Sequence, residues 1–154
     1  MEETGSKYRD YLQLCKDQEQ IYHQVAVGLG LSDSVLSLLF TLWEEGEGLT
    51  PTRLYEEWAL SKQTGHSALM WLEKRGLVRL EPEKADRRSK TVFLTAQGRE
   101  YARRWIFPIL TAEETAFGTL SREEQRTLVA LLEKMVRNLK EEIAGLPEVP
   151  DQFL

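Results

Sequence analysis

Residues 49–80 read LTPTRLYEEWALSKQTGHSALMWLEKRGLVRL, and the order of signals in this stretch decides the fold. Thr50-Pro51 is a helix start. The threonine can accept from the first free N–H groups, and the proline suits the first helical position, where a missing N–H costs nothing. Leu54, Tyr55 and Trp58 give this short helix its apolar side. Ala59-Leu60 leaves room only for a tight connection. Ser61 then caps a second helix that turns Leu69 and Leu72 inward and stops at Gly76. Two short helices joined by about three residues have the spacing of a helix-turn-helix.

After Gly76 the apolar period changes from helical to two. Residues 77–81 predict a strand, 82–89 a charged loop and 90–94 the returning strand. A hairpin directly behind a helix-turn-helix is a wing. Upstream, residues 7–27 predict one helix, ended by Gly28 and Gly30. A second starts at Ser32 or Asp33 and carries Val35, Leu36, Leu38, Leu39, Leu42 and Trp43 to a stop near Gly46. Downstream, Thr95 caps a long helix over 96–118 that Pro108 should kink. Ser121-Arg122-Glu123-Glu124 is a capping box. It opens a last helix with Leu128, Leu131, Leu132, Met135, Val136, Leu139 and Ile143, followed by an extended tail over 145–154. The expected fold is mainly α with a small β-hairpin wing, in a single domain spanning 1–154. Residues 33–101 form the winged helix-turn-helix lobe. Residues 7–30 and 102–154 supply dimerisation helices and the tail. The aliphatic stripe of the last helix is too long for one subunit to cover easily, and with the first helix it points to a two-fold interface.

Composition bounds the class. Of 154 residues, 42% are hydrophobic and 29% charged, which is enough apolar material for one domain's core. No apolar run reaches the roughly 20 residues that span a bilayer, so no membrane partner is expected. The polar start, Met1-Glu2-Glu3-Thr4-Gly5-Ser6, does not read as a signal peptide. Cys15, the single cysteine, lacks an intrachain disulfide partner, which fits a reducing, cytoplasmic compartment. The sequence holds no Gly-rich phosphate loop, no Cys/His metal spacing, and only His23 and His66, far apart. No catalytic residue, metal or cofactor is expected, and the chain does not read as an enzyme.

The formal net charge is -5, yet the charge is unevenly spread. Residues 61–90 hold eight basic side chains against four acidic ones, leaving 12 basic and 21 acidic residues for the rest. A basic segment inside an acidic protein is the footprint of a local polyanion site, although a solvated surface has the same composition.

The order helix, helix, helix-turn-helix, wing, kinked helix, helix resembles the MarR family of bacterial and archaeal regulators, most closely over residues 49–101. Ser61-Lys62-Gln63-Thr64-Gly65-His66-Ser67-Ala68-Leu69 is similar to the family's recognition helix, and Leu72-Glu73-Lys74-Arg75-Gly76-Leu77-Val78 to its exit into the wing. Asp86-Arg87-Arg88-Ser89-Lys90, then Leu94-Thr95-Ala96-Gln97-Gly98, matches the family's Asp-x-Arg and Leu-Thr-x-x-Gly wing signature. The resemblance implies a homodimer with intertwined first and last helices. Members usually repress promoters, and many release DNA when a small, often aromatic or anionic, effector binds.

A recognition helix lies in the major groove with its N-terminal turn at the bases. Lys62, Gln63 and His66 sit opposite Leu69 and Leu72. Gln can bond adenine in two places, and Lys can reach guanine or phosphate. Ser61 is a cap before it is a phosphate contact, Ser67 offers a hydroxyl, and the family pattern turns Thr64 inward. The N–H groups behind Thr50 can hold a phosphate. By resemblance Arg88 enters the minor groove, where a narrow A·T tract concentrates negative potential. Asp86 is either the acidic partner of the wing arginine or a turn-former. Arg87 and Lys90 are phosphate neighbours. A two-fold dimer places its recognition helices about one turn of DNA apart, so the expected partner is a near-palindromic double-stranded operator.

The inputs are written more faintly. Tyr22, Trp43 and Trp58 are candidates for an effector pocket, although aromatic residues at helical spacing are more often core. Cys15, beside Lys16, is a candidate redox sensor, but its polar neighbours Lys16-Asp17-Gln18-Glu19 are unlike those of the family's oxidant sensors. A winged-helix module that binds protein rather than DNA is the rival class, and it would need no basic bias.

Overall fold

The computed structural model describes residues 2–45, 48–82 and 89–147. In chain order the elements are α1 (Glu2–Gly28), α2 (Asp33–Glu45), α3 (Pro51–Glu57), α4 (Lys62–Lys74), β1 (Val78–Pro82), β2 (Lys90–Leu94), α5 (Ala96–Trp105), α6 (Phe107–Gly118) and α7 (Arg122–Ala144). They divide into two compact units, Met1–Leu110 and Thr111–Leu154. Among the described residues, no single helix is long and apolar enough to cross a membrane.

The first unit is built around α2. Its residues Val35, Leu36, Leu38, Leu39, Phe40, Thr41 and Leu42 are all buried, so this helix is apolar nearly all round, as a central core helix must be. α1, α3, α4, α5 and β2 all pack against it. Leu54 from α3, Leu69 and Leu72 from α4, Val92 from β2 and Ile106 are the other large side chains that are fully buried.

The wing is a two-stranded antiparallel sheet in which Val78 pairs with Leu94, Leu80 with Val92 and Pro82 with Lys90. Leu49 adds a one-residue bridge to it. The Leu49 N–H donates to the Val92 carbonyl at 3.2 Å and the Val92 N–H to the Leu49 carbonyl at 2.8 Å. This bridge fixes the start of α3 to the wing, and no periodic pattern announces a strand of one residue. At the wing root, the Thr95 hydroxyl donates to the Gly76 carbonyl at 2.6 Å, and its oxygen accepts from the Gly98 N–H at 2.9 Å. A Cβ at Gly98 would overlap the Leu77 carbonyl, so only glycine lets α5 start this close to the backbone.

Three boundaries differ from expectation. α1 begins at Glu2, ahead of residue 7, because its first turn is polar and has no apolar period to read. β1 begins at Val78, since the Leu77 N–H instead donates to the Leu72 carbonyl at 3.0 Å and closes α4. Pro108 does not kink a continuous helix. α5 ends at Trp105, the fully buried Ile106 caps it, and Pro108 stands second in α6. A proline there removes only an N–H that the helix start leaves unused.

In the second unit, α7 opens with a complete capping box. The Glu124 N–H donates to Ser121 Oγ at 3.3 Å, and the Ser121 N–H donates to Glu124 Oε2 at 2.8 Å. Gln125 Nε2 donates to the Phe117 and Leu120 carbonyls at 3.2 and 3.0 Å, which ties the turn between α6 and α7. No residue of α7 is buried. Of the expected extended tail, Gly145 keeps helical backbone angles, and residues 148–154 lie outside the described residues.

Candidate nucleic-acid interface

α3 and α4 cross at very short range. Thr50 Oγ1 accepts from the Arg53 N–H at 3.3 Å and caps α3, with Pro51 at its first position. Ser61 Oγ accepts from the Thr64 N–H at 3.1 Å and caps α4. Between them Ala59 takes a positive φ of 48°, and the Leu60 N–H donates back to the Tyr55 carbonyl at 2.9 Å. Gly65 is buried where the helices meet, and a Cβ there would overlap the Tyr55 ring. Burial pushes the Tyr55 phenol up, so the ring stays neutral and packed.

This crossing aims α4 outward. Lys62, Gln63, Thr64, His66, Ser67 and Met70 are exposed, while Gly65, Ala68, Leu69 and Leu72 are buried. At 3.6 residues per turn, Gln63, Ser67, Met70 and Lys74 form the outermost ridge. No acidic residue occurs from Ser61 to Leu72, and Glu73 is the first. Thr64 does not pack inward as its family pattern implied. It is exposed, and its Oγ1 lies 2.9 Å from Ser61 Oγ. It stands a quarter-turn or so away from the buried stripe, beyond the reach of the core.

Two crevices flank the ridge. On the α3 side an open crevice of about 870 Å³ is lined by Pro51, Thr52, Glu56, Lys62, Gln63 and His66 among others. On the other side a crevice of about 410 Å³ runs between the start of α2 and α4, lined by Ser32, Ser34, Gln63, Thr64, Ser67 and Trp71 among others. Gln63 lines both and therefore stands at the crest. Sequence reasoning missed Met70, which is 43% exposed, because its apolar side chain reads as core. It also missed Ser32 and Ser34, which only tertiary structure brings beside α4. Arg75 stacks its guanidinium 3.6 Å from the centre of the Trp71 ring.

On the wing, Lys90 is the exposed first residue of β2. Asp86, Arg87 and Arg88 lie outside the described residues. At the root, Arg79 pairs with Glu81, and both Arg79 and Arg99 donate to the Leu94 carbonyl, at 3.2 and 2.8 Å. These bonds hold the hairpin against α5.

The aromatic candidates separate into two groups. Tyr22 and Trp58 both pack on Phe40, with ring centres 6.3 and 6.4 Å away, and Trp58 Nε1 donates to Thr41 Oγ1 at 2.7 Å. Trp43, one turn along α2, instead meets Phe107 at 5.8 Å. Cys15 is half-buried, and its hydrogen bond with Tyr11 raises the Tyr11 phenol. Among the described residues, no group of His, Cys, Asp or Glu is placed to hold a metal ion.

Residues 29–89 match the model of the MarR family. The transcriptional regulator HosA of Escherichia coli O157:H7 is 37% identical over 89 residues, which is 58% of this chain and 66% of HosA. Over this lobe the chain is similar to the MarR family. The matched stretch spans just under two thirds of the length of the HosA relatives. Solved MarR-family structures share the fold. NMB1585 of Neisseria meningitidis superposes with a TM-score of 0.71 at 24% identity, covering 88% of this chain and 95% of that one. MepR of S. aureus, solved in a DNA-binding conformation, gives 0.72 at 22% identity over 86% and 98%. The MarR-family winged helix thus accounts for the α3–α4 crossing and for the hairpin behind it.

Proposed function

We propose that this chain is a sequence-specific, double-stranded DNA-binding regulator of transcription, a homodimeric repressor released by a small aromatic or anionic ligand. One observation carries the DNA reading. In a chain with 25 acidic residues, the exposed face of α4 from Ser61 to Leu72 has none, and it presents Lys62, Gln63, Thr64, His66 and Ser67. A carboxylate on that face would meet the phosphate backbone, and its exclusion is what a duplex requires. MepR, of the same fold, has been solved in complex with DNA. Gln63 at the crest is the residue for bidentate contact with adenine. Lys62 and His66 turn toward the α3 flank, and Met70 is placed for apolar contact with a thymine methyl. Arg88 reads the minor groove from the wing, with Asp86, Arg87 and Lys90 beside it.

The dimer reading rests on α7. Leu128, Leu131, Leu132, Val136, Leu139 and Ile143 are all exposed. Leu128, Leu132, Val136, Leu139 and Ile143 recur at steps of three and four, with Leu131 beside them, the pattern of a helix that packs on another helix. A second copy covers this stripe. Tyr22 and Trp58, gathered around Phe40 with Trp58 44% exposed, offer an aromatic ligand a stacking surface.

The test is selection of genomic fragments on the purified protein, followed by titration of the best site at several salt concentrations. The expected result is a near-palindrome bound with a steep salt dependence, and Gln63→Ala relaxes the preference at one position per half-site. Weak binding that is the same for every fragment, or a flat salt response, would exclude specific DNA recognition and favour a protein partner.

A further inference from the structure

The two flanks of α4 differ in chemistry. The α3 flank carries charge, with Lys62, His66 and Glu56 along its crevice. The crevice on the α2 flank is lined by no ionisable residue, and instead gathers the hydroxyls of Ser32, Ser34, Thr64 and Ser67 with the Gln63 amide. Among the described residues, the side chains of Gln63 and Ser67 have no hydrogen-bond partner within the chain. The nearest acid in sequence, Asp33, is held on the α1 side by His23, whose Nδ1 lies 3.0 and 3.1 Å from its two oxygens, and it does not line the crevice.

A helix with its side chains is about 10–12 Å across, and the major groove is about 12 Å wide. A helix lying in the groove therefore has one phosphate backbone along each flank. The first helix of the pair crosses one of them. The other must run past the opposite flank, where this chain has the hydroxyl-lined crevice.

We propose that this crevice, which has no cation among its lining residues, seats a phosphodiester of the second DNA strand, held by the hydroxyls of Ser34 and Ser67. The proposal rests on the DNA-binding reading above. Hydroxyl donors position a phosphate without reading sequence. Being neutral, they release no counterion, so their contribution to affinity is independent of salt. The two flanks of one helix thus hold the duplex by different means, through a salt-sensitive cation at Lys62 and through salt-insensitive hydroxyls at Ser34 and Ser67.

The test uses the full chain, its selected operator, and operators in which single phosphates are replaced by neutral methylphosphonates. Ser32 is left in place, since its Oγ accepts from the Val35 N–H at 3.3 Å and caps α2. The double variant Ser34→Ala, Ser67→Ala should lose roughly tenfold in affinity on every sequence alike, with the salt slope unchanged. Lys62→Ala should instead lower the slope by about 0.9. One methylphosphonate position per half-site should weaken the wild type and weaken the double variant no further. Ser34→Thr with Ser67→Thr should restore binding, and an unchanged melting temperature shows that each variant is folded. Inorganic phosphate at millimolar concentration should not compete, which separates a backbone phosphate from a free-anion site. Competition by inorganic phosphate, wild-type affinity in the double variant, a reduced salt slope, or additive losses at every methylphosphonate position would each overturn the proposal while leaving DNA binding intact. A wild type that binds no duplex overturns both.

Discussion

α4 and α7 begin in the same way and end up in opposite circumstances. Each is capped by a serine, Ser61 or Ser121, that accepts from the N–H three residues on. Each has a face of leucines. In α4 that face is covered by its own chain, with Leu69 and Leu72 fully buried and the polar face turned out. In α7 nothing is buried, and Leu128, Leu131, Leu132, Leu139 and Ile143 remain exposed. Helical periodicity alone therefore does not say where the cover comes from. The neighbours decide it, with α2 and α3 packing on α4 from within the lobe.

The contrast breaks most sharply with one substitution on each side. Leu72→Ala leaves a cavity among α2 and α4 residues and should cost about 2–5 kcal/mol. Denaturant unfolding should show that loss at every protein concentration. Leu132→Lys places a charge in the stripe that a second copy is proposed to cover. It should forfeit about 3 kcal/mol of association per protomer and shift sedimentation toward the monomer. Its stability should stop depending on protein concentration, as linkage to dimerisation requires. If Leu132→Lys unfolds like the wild type and sediments like it, the stripe of α7 is not a dimer surface and the comparison loses its meaning.

Particular residues show how far the sequence carried. The caps at Thr50, Ser61, Thr95 and Ser121 were legible because each is a local event within four residues, and each accepts the expected N–H. The inward leucines of α4 and the hairpin period were legible for the same reason. The Leu49 bridge to Val92 was not, since it joins residues more than forty apart through two hydrogen bonds. Pro108 was misplaced because a proline inside a helix and one at its second position look alike until Ile106 is known to be buried and to end α5. Ser32 and Ser34 gave no signal as site residues. Only the packing of α2 on α4 sets them beside Gln63 and Ser67.

The caps themselves sharpen the comparison. Three residues after the cap, α7 has Glu124 and completes the box, whereas α4 has Thr64. A glutamate at position 64 would serve the isolated helix better, by satisfying the N–H of Ser61 and meeting the positive helix end. It would also set a carboxylate on the face proposed to meet DNA, where like charge is strongly unfavourable. Thr64→Glu should therefore leave the melting temperature unchanged or slightly raised while weakening operator binding by more than about tenfold, or ~1.4 kcal/mol. A variant that kept full affinity would mean that α4's freedom from acid has no connection with a polyanion.

The smallest effect is the most diagnostic of local structure. Ser121→Ala should cost about 1 kcal/mol at neutral pH, and Ser61→Ala should cost a similar amount. The two caps should part company in acid. The Ser121 N–H bonds the Glu124 carboxylate at 2.8 Å, and this bond, followed by that of the Ser121 hydroxyl, holds the Glu124 carboxyl below its ordinary value of 4.5. A carboxyl whose folded value lies below its unfolded value contributes stability that is full above the unfolded value and disappears as the pH falls through the folded one. Glu124's share of the α7 cap should accordingly fade below about pH 4.5, while the Ser121 hydroxyl arm persists. The α4 cap, which has a threonine at that place, should not change over the same range. Glu124→Gln keeps both arms of the box without a titrating group, so it should remove the pH dependence and spare most of the stability at neutral pH. Melting temperatures of the wild type, Ser121→Ala and Glu124→Gln between pH 7 and pH 3 decide the matter. Parallel curves for all three would mean that the Glu124 arm of the box holds no proton-linked free energy.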